Sequence, residues 1–186
     1  MSAPPATAAP TAAPSTTANP HRAIRLVKVV VNSGVGESGD ARTKAERVLQ
    51  MVTHQKPIAT RSHSTNRDFG IRKGQEIGAK VTLRGEVARD FLARAFEARD
   101  RQLDVESIDR NGNFSFGIAD YTDFTGMKYD PTIGIHGMDV AVEVGRAGFR
   151  IRQRRERSRP IPRSLRSTRD ETRAFLVDKF SVTILE

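Results

Sequence analysis

Large apolar side chains first gather at residue 24, and from there they recur in two periods. IRLVKVVVN (24–32) is rich in β-branched residues and of strand length. Ala41, Ala45, Val48, Leu49 and Val52 then fall on one face of a helix, which Ser38 or Asp40 is placed to cap. Pro57 closes that region and PIATRS (57–62) predicts a second strand. In EIGAKVTLR (76–84), Ile77, Ala79, Val81 and Leu83 alternate with other positions, the period of a half-buried strand. Gly85 interrupts it, and a second helix carries Ala88, Phe91, Leu92, Ala95 and Phe96 on its apolar side. After the Asn111-Gly112 turn come two more strands, NFSFGI (113–118) and MDVAVEV (138–144). FRIRQRR (149–155) alternates apolar and basic, which predicts a further strand. Thr168 and Glu171 have capping-box spacing for a last helix with Phe175, Leu176 and Phe180, and SVTILE reads as a short final strand.

The order is β-α-β-β-α-β, then β-β and α. Neighbouring strands with short links predict an α+β fold: a largely antiparallel sheet with helices packed on one face, ferredoxin-like or RRM-like. Such a sheet leaves its other face free to bind. Two stretches carry no period. HSTNRDFGIRKGQ (63–75) is a long basic loop, of the kind that is functional or mobile. Residues 1–20 hold only Ala, Pro, Thr, Ser, Asn and the initiator Met, with five prolines and no charge. They have nothing to bury and match neither a secretory signal nor a transit peptide. The expected organisation is a disordered extension over 1–21 and a single domain over 22–186.

Charge sharpens the picture. The chain of 186 residues has a formal net charge of +9. Residues 146–166 alone hold nine arginines against one acid, Glu156, a net +8. A guanidinium cluster beside a near-neutral domain is the footprint of a polyanion binder, because each Arg that meets a phosphate makes a planar contact and releases a counterion. A solvated arginine-rich tail is the blander reading. Phe149, Ile151, Ile161 and Leu165 interrupt the run, which argues that part of it is anchored to the domain. There is no Cys, the four histidines show no metal-ligand spacing, and no apolar run approaches the ~20 residues that span a bilayer. No metal, cofactor or membrane partner is expected.

Three motifs invite chemistry. Gly34–Gly39 satisfies G-x-G-x-x-G between a strand and a helix, as a dinucleotide site would. A Rossmann unit needs an acid about 20 residues on to bind the ribose, and Arg47 to Arg67 contains none. A plain glycine turn fits better. Phe114 and Phe116 could stack on bases, but no basic residue flanks them and core packing is favoured. Asp120, Asp123, Asp130 and Asp139 have no nucleophile or His in register, and turn formation accounts for them better.

KVVVNSGVGESG (28–39), THQKPIATRS (53–62), NRDFGIRKGQEIGAKVTLRGE (66–86), DRNGNFSFGI (109–118) and DPTIGIHGMDVAV (130–142) together resemble the universal large-subunit ribosomal protein five family, in its archaeal or eukaryotic form. The resemblance runs in order over about residues 22–186. It implies a non-catalytic, cytoplasmic ribosomal protein of the central protuberance that binds 5S rRNA and fastens it to the large subunit. Asn32, Gln55 and Thr82 match the family's 5S rRNA contacts, with Lys28 and Arg84 beside them. The loop with Arg61, Arg67, Arg72 and Lys73 matches the one that reaches P-site tRNA. Arg150, Arg152, Arg154, Arg155, Arg157 and Arg159 are expected on rRNA phosphates, 5S or 23S. Neighbouring central-protuberance proteins and a small-subunit head protein, across an intersubunit bridge, complete the implied partners. The chain departs from the family in its uncharged extension and in placing His63, Thr65 and Asn66 where basic residues are usual. Two rival readings remain: an NADP-dependent enzyme built on Gly34–Gly39, and a sequence-tolerant basic RNA chaperone.

Overall fold

The computed structural model describes residues 20–185. The proposed extension therefore lies outside the described residues, apart from Pro20 and His21, which open a short 3-10 turn over Pro20–Arg22. The strands are β1 (Arg25–Gly34), β2 (Ile58–Arg61), β3 (Glu76–Leu83), β4 (Gln102–Asp104), β5 (Phe114–Ile118), β6 (Met138–Gly145) and β7 (Thr183–Leu185). The helices are α1 (Asp40–Thr53), α2 (Gly85–Glu97), α3 (Arg150–Gln153) and α4 (Arg169–Phe180).

Five strands form one antiparallel sheet in the order β2-β3-β1-β6-β5. The run β6-β1-β3-β2 is the ferredoxin-like arrangement expected from the sequence. β5 is added outside it as a hairpin partner of β6, so the fourth position is filled by 138–145 and not by the strand that follows α2. The predicted alternation fixes the register. Val29, Val31, Ala79, Val81, Leu83, Val140, Val142, Phe114 and Phe116 all point to one side and are buried. α1 lies on β3 and β1, and α2 on β1, with Val48, Leu49, Val52, Phe91, Leu92 and Phe96 closing the core. Phe114 and Phe116 are core residues, only 3% and 5% exposed, and stack on Phe96 at 6.1 and 5.2 Å. The base-stacking alternative is thereby excluded for them.

α4 docks on the Asn111-Gly112 turn. Ser167 Oγ donates to the Asn111 carbonyl (2.5 Å) and Thr172 Oγ1 to that of Gly112 (3.0 Å). Gly112 has φ +76°, and a Cβ there would collide with Thr172, so the position requires glycine twice over. The capping box is present: Thr168 Oγ1 accepts from the Glu171 amide (3.4 Å) and Glu171 from the Thr168 amide (3.0 Å).

Two expectations need correction, and one short strand left no signal in the sequence. The segment 149–155 is not a strand. Gly148 at φ +95° turns the chain away from the sheet, and Arg150–Gln153 coil into α3. β4 escaped the sequence reading because three residues give no period; it pairs in parallel with β7, through Leu103 opposite Ile184. Neither Ser38 nor Asp40 caps α1, whose N-cap is Gly39; the Ser38 hydroxyl instead accepts from Gln75 Nε2 (2.9 Å). Residues 62–75 form the loop expected from the sequence, made mostly of turns between β2 and β3 with one isolated antiparallel bridge near its far end. Arg61 stands opposite Glu76, the Ser62 amide donates to the Gln75 carbonyl (2.8 Å), and Asn66 and Ile71 exchange both backbone bonds (2.8 and 2.9 Å). The pairing is interrupted between these points: the Gly74 amide also donates to the Ser62 carbonyl (2.9 Å), so Gly74 and Gln75 both face Ser62, and the Gln75 amide closes a turn on the Arg72 carbonyl (3.1 Å) before the tip at Arg67–Gly70.

Candidate RNA interface

Both large helices cover one side of the sheet, and the side chains of opposite parity are left on the other. Register places them in rows. Gly117, Asp139, Asn32, Lys80 and Ile58 form one row across five strands, and Ser115, Ala141, Val30 and Thr82 form the next. Lys28 and Glu143 stand opposite each other in a third and pair at 3.0 Å. No aromatic ring projects from these rows, and the cations Lys28 and Lys80 offset the acids Glu143 and Asp139, so the surface is flat and close to neutral. Gly78 lets β3 fit closely between β1 and β2: a Cβ there would sit 2.8 Å from the Ser33 carbonyl and 2.9 Å from Thr60 Oγ1.

Three of the five residues expected to meet 5S rRNA lie on this face. Asn32 and Thr82 are diagonal neighbours on β1 and β3, and Lys28 is two positions from Val30. Arg84 follows β3 with an extended backbone (φ −142°, ψ 161°), continuing the alternation of Lys80 and Thr82 to the start of α2. Gln55 stands apart, half-buried in the link that enters edge strand β2, with its amide 3.4 Å from Thr53 Oγ1. Sequence reasoning missed Lys80, although its parity with Thr82 was available.

The arginine tract borders the same face. α3 brings Arg152 and Gln153 against Lys28, Ser115, Ala141 and Glu143, forming a groove of about 570 Å3 where sheet and tract meet. Beyond it Arg154 is held within its own loop: its Nε and one terminal nitrogen donate to the Arg157 carbonyl at 3.0 and 2.7 Å. Ser158 Oγ bonds the Arg152 carbonyl (3.0 Å), and the Arg159 amide bonds that of Ile151 (3.3 Å). The tract is therefore folded back on α3, while Arg150, Arg152, Arg154, Arg155, Arg157 and Arg159 remain exposed.

The four cations of the loop separate into two groups. Arg61 is tied to Glu76 at the base of the ribbon (3.3 Å), whereas Arg67, Arg72 and Lys73 are exposed along its far half. Phe69 accompanies them at the tip, 75% exposed.

The rival chemistries find no support in this geometry. In the glycine turn, the amides of Val35 and Gly36 both donate to the Ile77 carbonyl (3.1 and 3.0 Å) and are not free to cradle a pyrophosphate. The antiparallel sheet offers no Rossmann crevice. Asp120 and Asp130 serve turns, accepting from Thr122 (3.2 Å) and Thr132 (2.9 Å).

Comparison with known proteins decides the family. The model of ribosomal protein L5 matches residues 19–72, and that of the ribosomal L5P family C-terminus matches residues 76–173. The chain belongs to the ribosomal protein L5 family. Relatives named large ribosomal subunit protein uL5 agree along almost their whole length. That of Picrophilus torridus is 50% identical over 171 residues, covering 91% of this chain and 97% of its own. That of Thermoplasma acidophilum is 49% identical over 168 residues (90% and 99%), and that of Sulfurisphaera tokodaii 47% over 171 (91% and 97%). The relatives are archaeal, as the wording of the motifs suggested. The L5 family consists of structural, non-enzymatic proteins of the large ribosomal subunit, which removes the reading of an NADP-dependent enzyme.

Proposed function

We propose that this chain binds 5S rRNA on the uncovered face of its sheet and fastens it to the large subunit through the arginine tract. One observation carries the reading: every large helix packs on the same side, and the opposite side is a flat, near-neutral surface bordered by exposed arginines. A flat polar face suits shape-dependent contacts to riboses and bases, and the arginines add sequence-independent attraction to phosphates of 5S or 23S rRNA. Asn32, Thr82, Lys28 and Arg84 make the first kind of contact, and Gln55 extends them around the β2 edge. The ribbon 62–75 projects from the opposite end of β3 and carries Arg67, Arg72 and Lys73 to P-site tRNA. Residues 22–186 act as one domain, and the remaining surface meets neighbouring central-protuberance proteins and a small-subunit head protein.

The test is capture of RNA from total ribosomal RNA by the purified chain, followed by sizing. A single band of 5S length supports the proposal. A smear of unrelated lengths identifies a general RNA chaperone instead, and no retained RNA refutes both.

A further inference from the structure

Two acids stand on the open face. Glu143 is neutralised by Lys28, but the Asp139 side chain is exposed and takes part in no ion pair or hydrogen bond among the described residues. It sits in the row with Asn32 on one side and Gly117 on the other. A carboxylate without an ion-pair partner, placed on a surface proposed to receive a polyanion, repels every phosphate brought near it. Its presence weakens binding to RNA in general, and is compensated only where the RNA offers a donor in place of a phosphate.

Gly117 strengthens the point. Its backbone is an ordinary strand conformation, and a Cβ there would meet nothing closer than Asp139 Oδ1 at 3.7 Å, a normal contact. Neither strain nor crowding demands glycine at this position, and its effect is to leave the flank of the carboxylate uncovered. On the other flank, Asn32 supplies both a donor and an acceptor, so the pair presents acceptor, acceptor and donor side by side.

We infer that Asp139 is a specificity residue of the RNA-binding face, accepting hydrogen bonds from a donor edge of the bound RNA. The inference rests on the 5S rRNA reading above. Two RNA groups have the required chemistry: a ribose 2′-hydroxyl, and the Watson–Crick edge of an unpaired guanine, whose adjacent N–H groups match the two carboxylate oxygens. Asp139 thus works by discrimination, rejecting wrong RNA as well as holding the right one.

The experiment measures the affinity of the full chain for a 5S rRNA transcript and for an unrelated structured RNA of equal length, at one salt concentration. Asp139→Asn should weaken the first by about 10- to 100-fold, the range for losing a bond to a charged group, and should tighten the second. Gly117→Val, which covers the carboxylate without changing charge, should weaken 5S binding and leave the unrelated RNA unchanged. 5S transcripts substituted with 2′-deoxynucleotides or with inosine for guanosine then separate the two sources. The substitution that removes the partner weakens wild-type binding and has no further effect on Asp139→Asn. Equal tightening of both RNAs by Asp139→Asn would overturn the inference while leaving the 5S reading intact, as would additivity of the variant with every analogue. A wild-type chain with no preference for 5S rRNA would overturn the reading on which the inference rests.

Discussion

At the scale of single residues, the side chains proposed to specify RNA differ in kind from those that shape turns. Asn32 and Thr82 are uncharged and project from the open face, so losing either removes a hydrogen bond without removing a counterion-releasing contact. Asn32→Ala and Thr82→Ala should each lower 5S rRNA affinity by about 1–3 kcal/mol, with an unchanged slope of log K against log salt. A flattened slope would assign these residues to phosphates. Asp130 illustrates the other class. The Thr132 backbone amide, and after it the Thr132 hydroxyl, hold the Asp130 carboxyl below its ordinary value. Because the folded value is the lower one, this contact stabilises the fold above the unfolded value and is lost as pH falls through the folded value. Thr132→Val should raise the carboxyl's titration midpoint toward the ordinary range in an NMR titration, without reaching the affinity for RNA. The alternation in IRLVKVVVN and EIGAKVTLR already showed that Lys28, Asn32 and Thr82 share no face with the core valines. What it could not show was Asp139 beside Asn32, because that contact depends on the pairing of β1 with a strand more than a hundred residues later.

At the scale of elements, local pattern succeeded where an element is long and failed where partners define it. β1, β3, α1, α2 and the Thr168 capping box are written in their own periodicity. β4 is three residues held only by β7, and α3 follows from Gly148 turning the chain out of the sheet, a conformation that the apolar–basic alternation of FRIRQRR conceals. The loop 62–75 was legible as a loop because its side chains are nearly all exposed and carry no hydrophobic period. Replacing 65–72 with an Asn-Gly turn removes the tip with Arg67 and Arg72 and leaves in place the Ser62 contacts to Gly74 and Gln75 that join the two arms. 5S rRNA affinity should survive this replacement, while P-site tRNA retention on reconstituted ribosomes falls. Loss of 5S binding would place the ribbon in the wrong interface. The arginine tract makes the opposite prediction in salt. Arg155 and Arg159 have no side-chain bond within their loop, in contrast to Arg154. Changing both to Ala should flatten the salt slope by about 2 or less, roughly one unit per phosphate contact, and leave the preference for 5S over unrelated RNA unaltered.

At the scale of the whole molecule, one asymmetry organises everything: α1 and α2 on one side of the sheet, an open face on the other, and a positively charged border beside it. The fold class was legible because strand and helix patterns alternate in the order that gives a split βαβ sheet. The near-neutrality of the open face was not, since it arises from Lys28 pairing with Glu143 across β1 and β6. Lysines report on this asymmetry directly. Lys28 and Lys80 stand on the open face, while Lys44 lies on α1 and Lys179 on α4, on the helical side of the molecule. The decisive measurement is the rate of lysine acylation in the free chain and in its complex with 5S rRNA, read residue by residue by mass spectrometry. The account predicts that 5S rRNA slows Lys28 and Lys80 strongly and leaves Lys44 and Lys179 at their free rates. Protection of Lys44 and Lys179, with Lys28 and Lys80 still reactive, would contradict it.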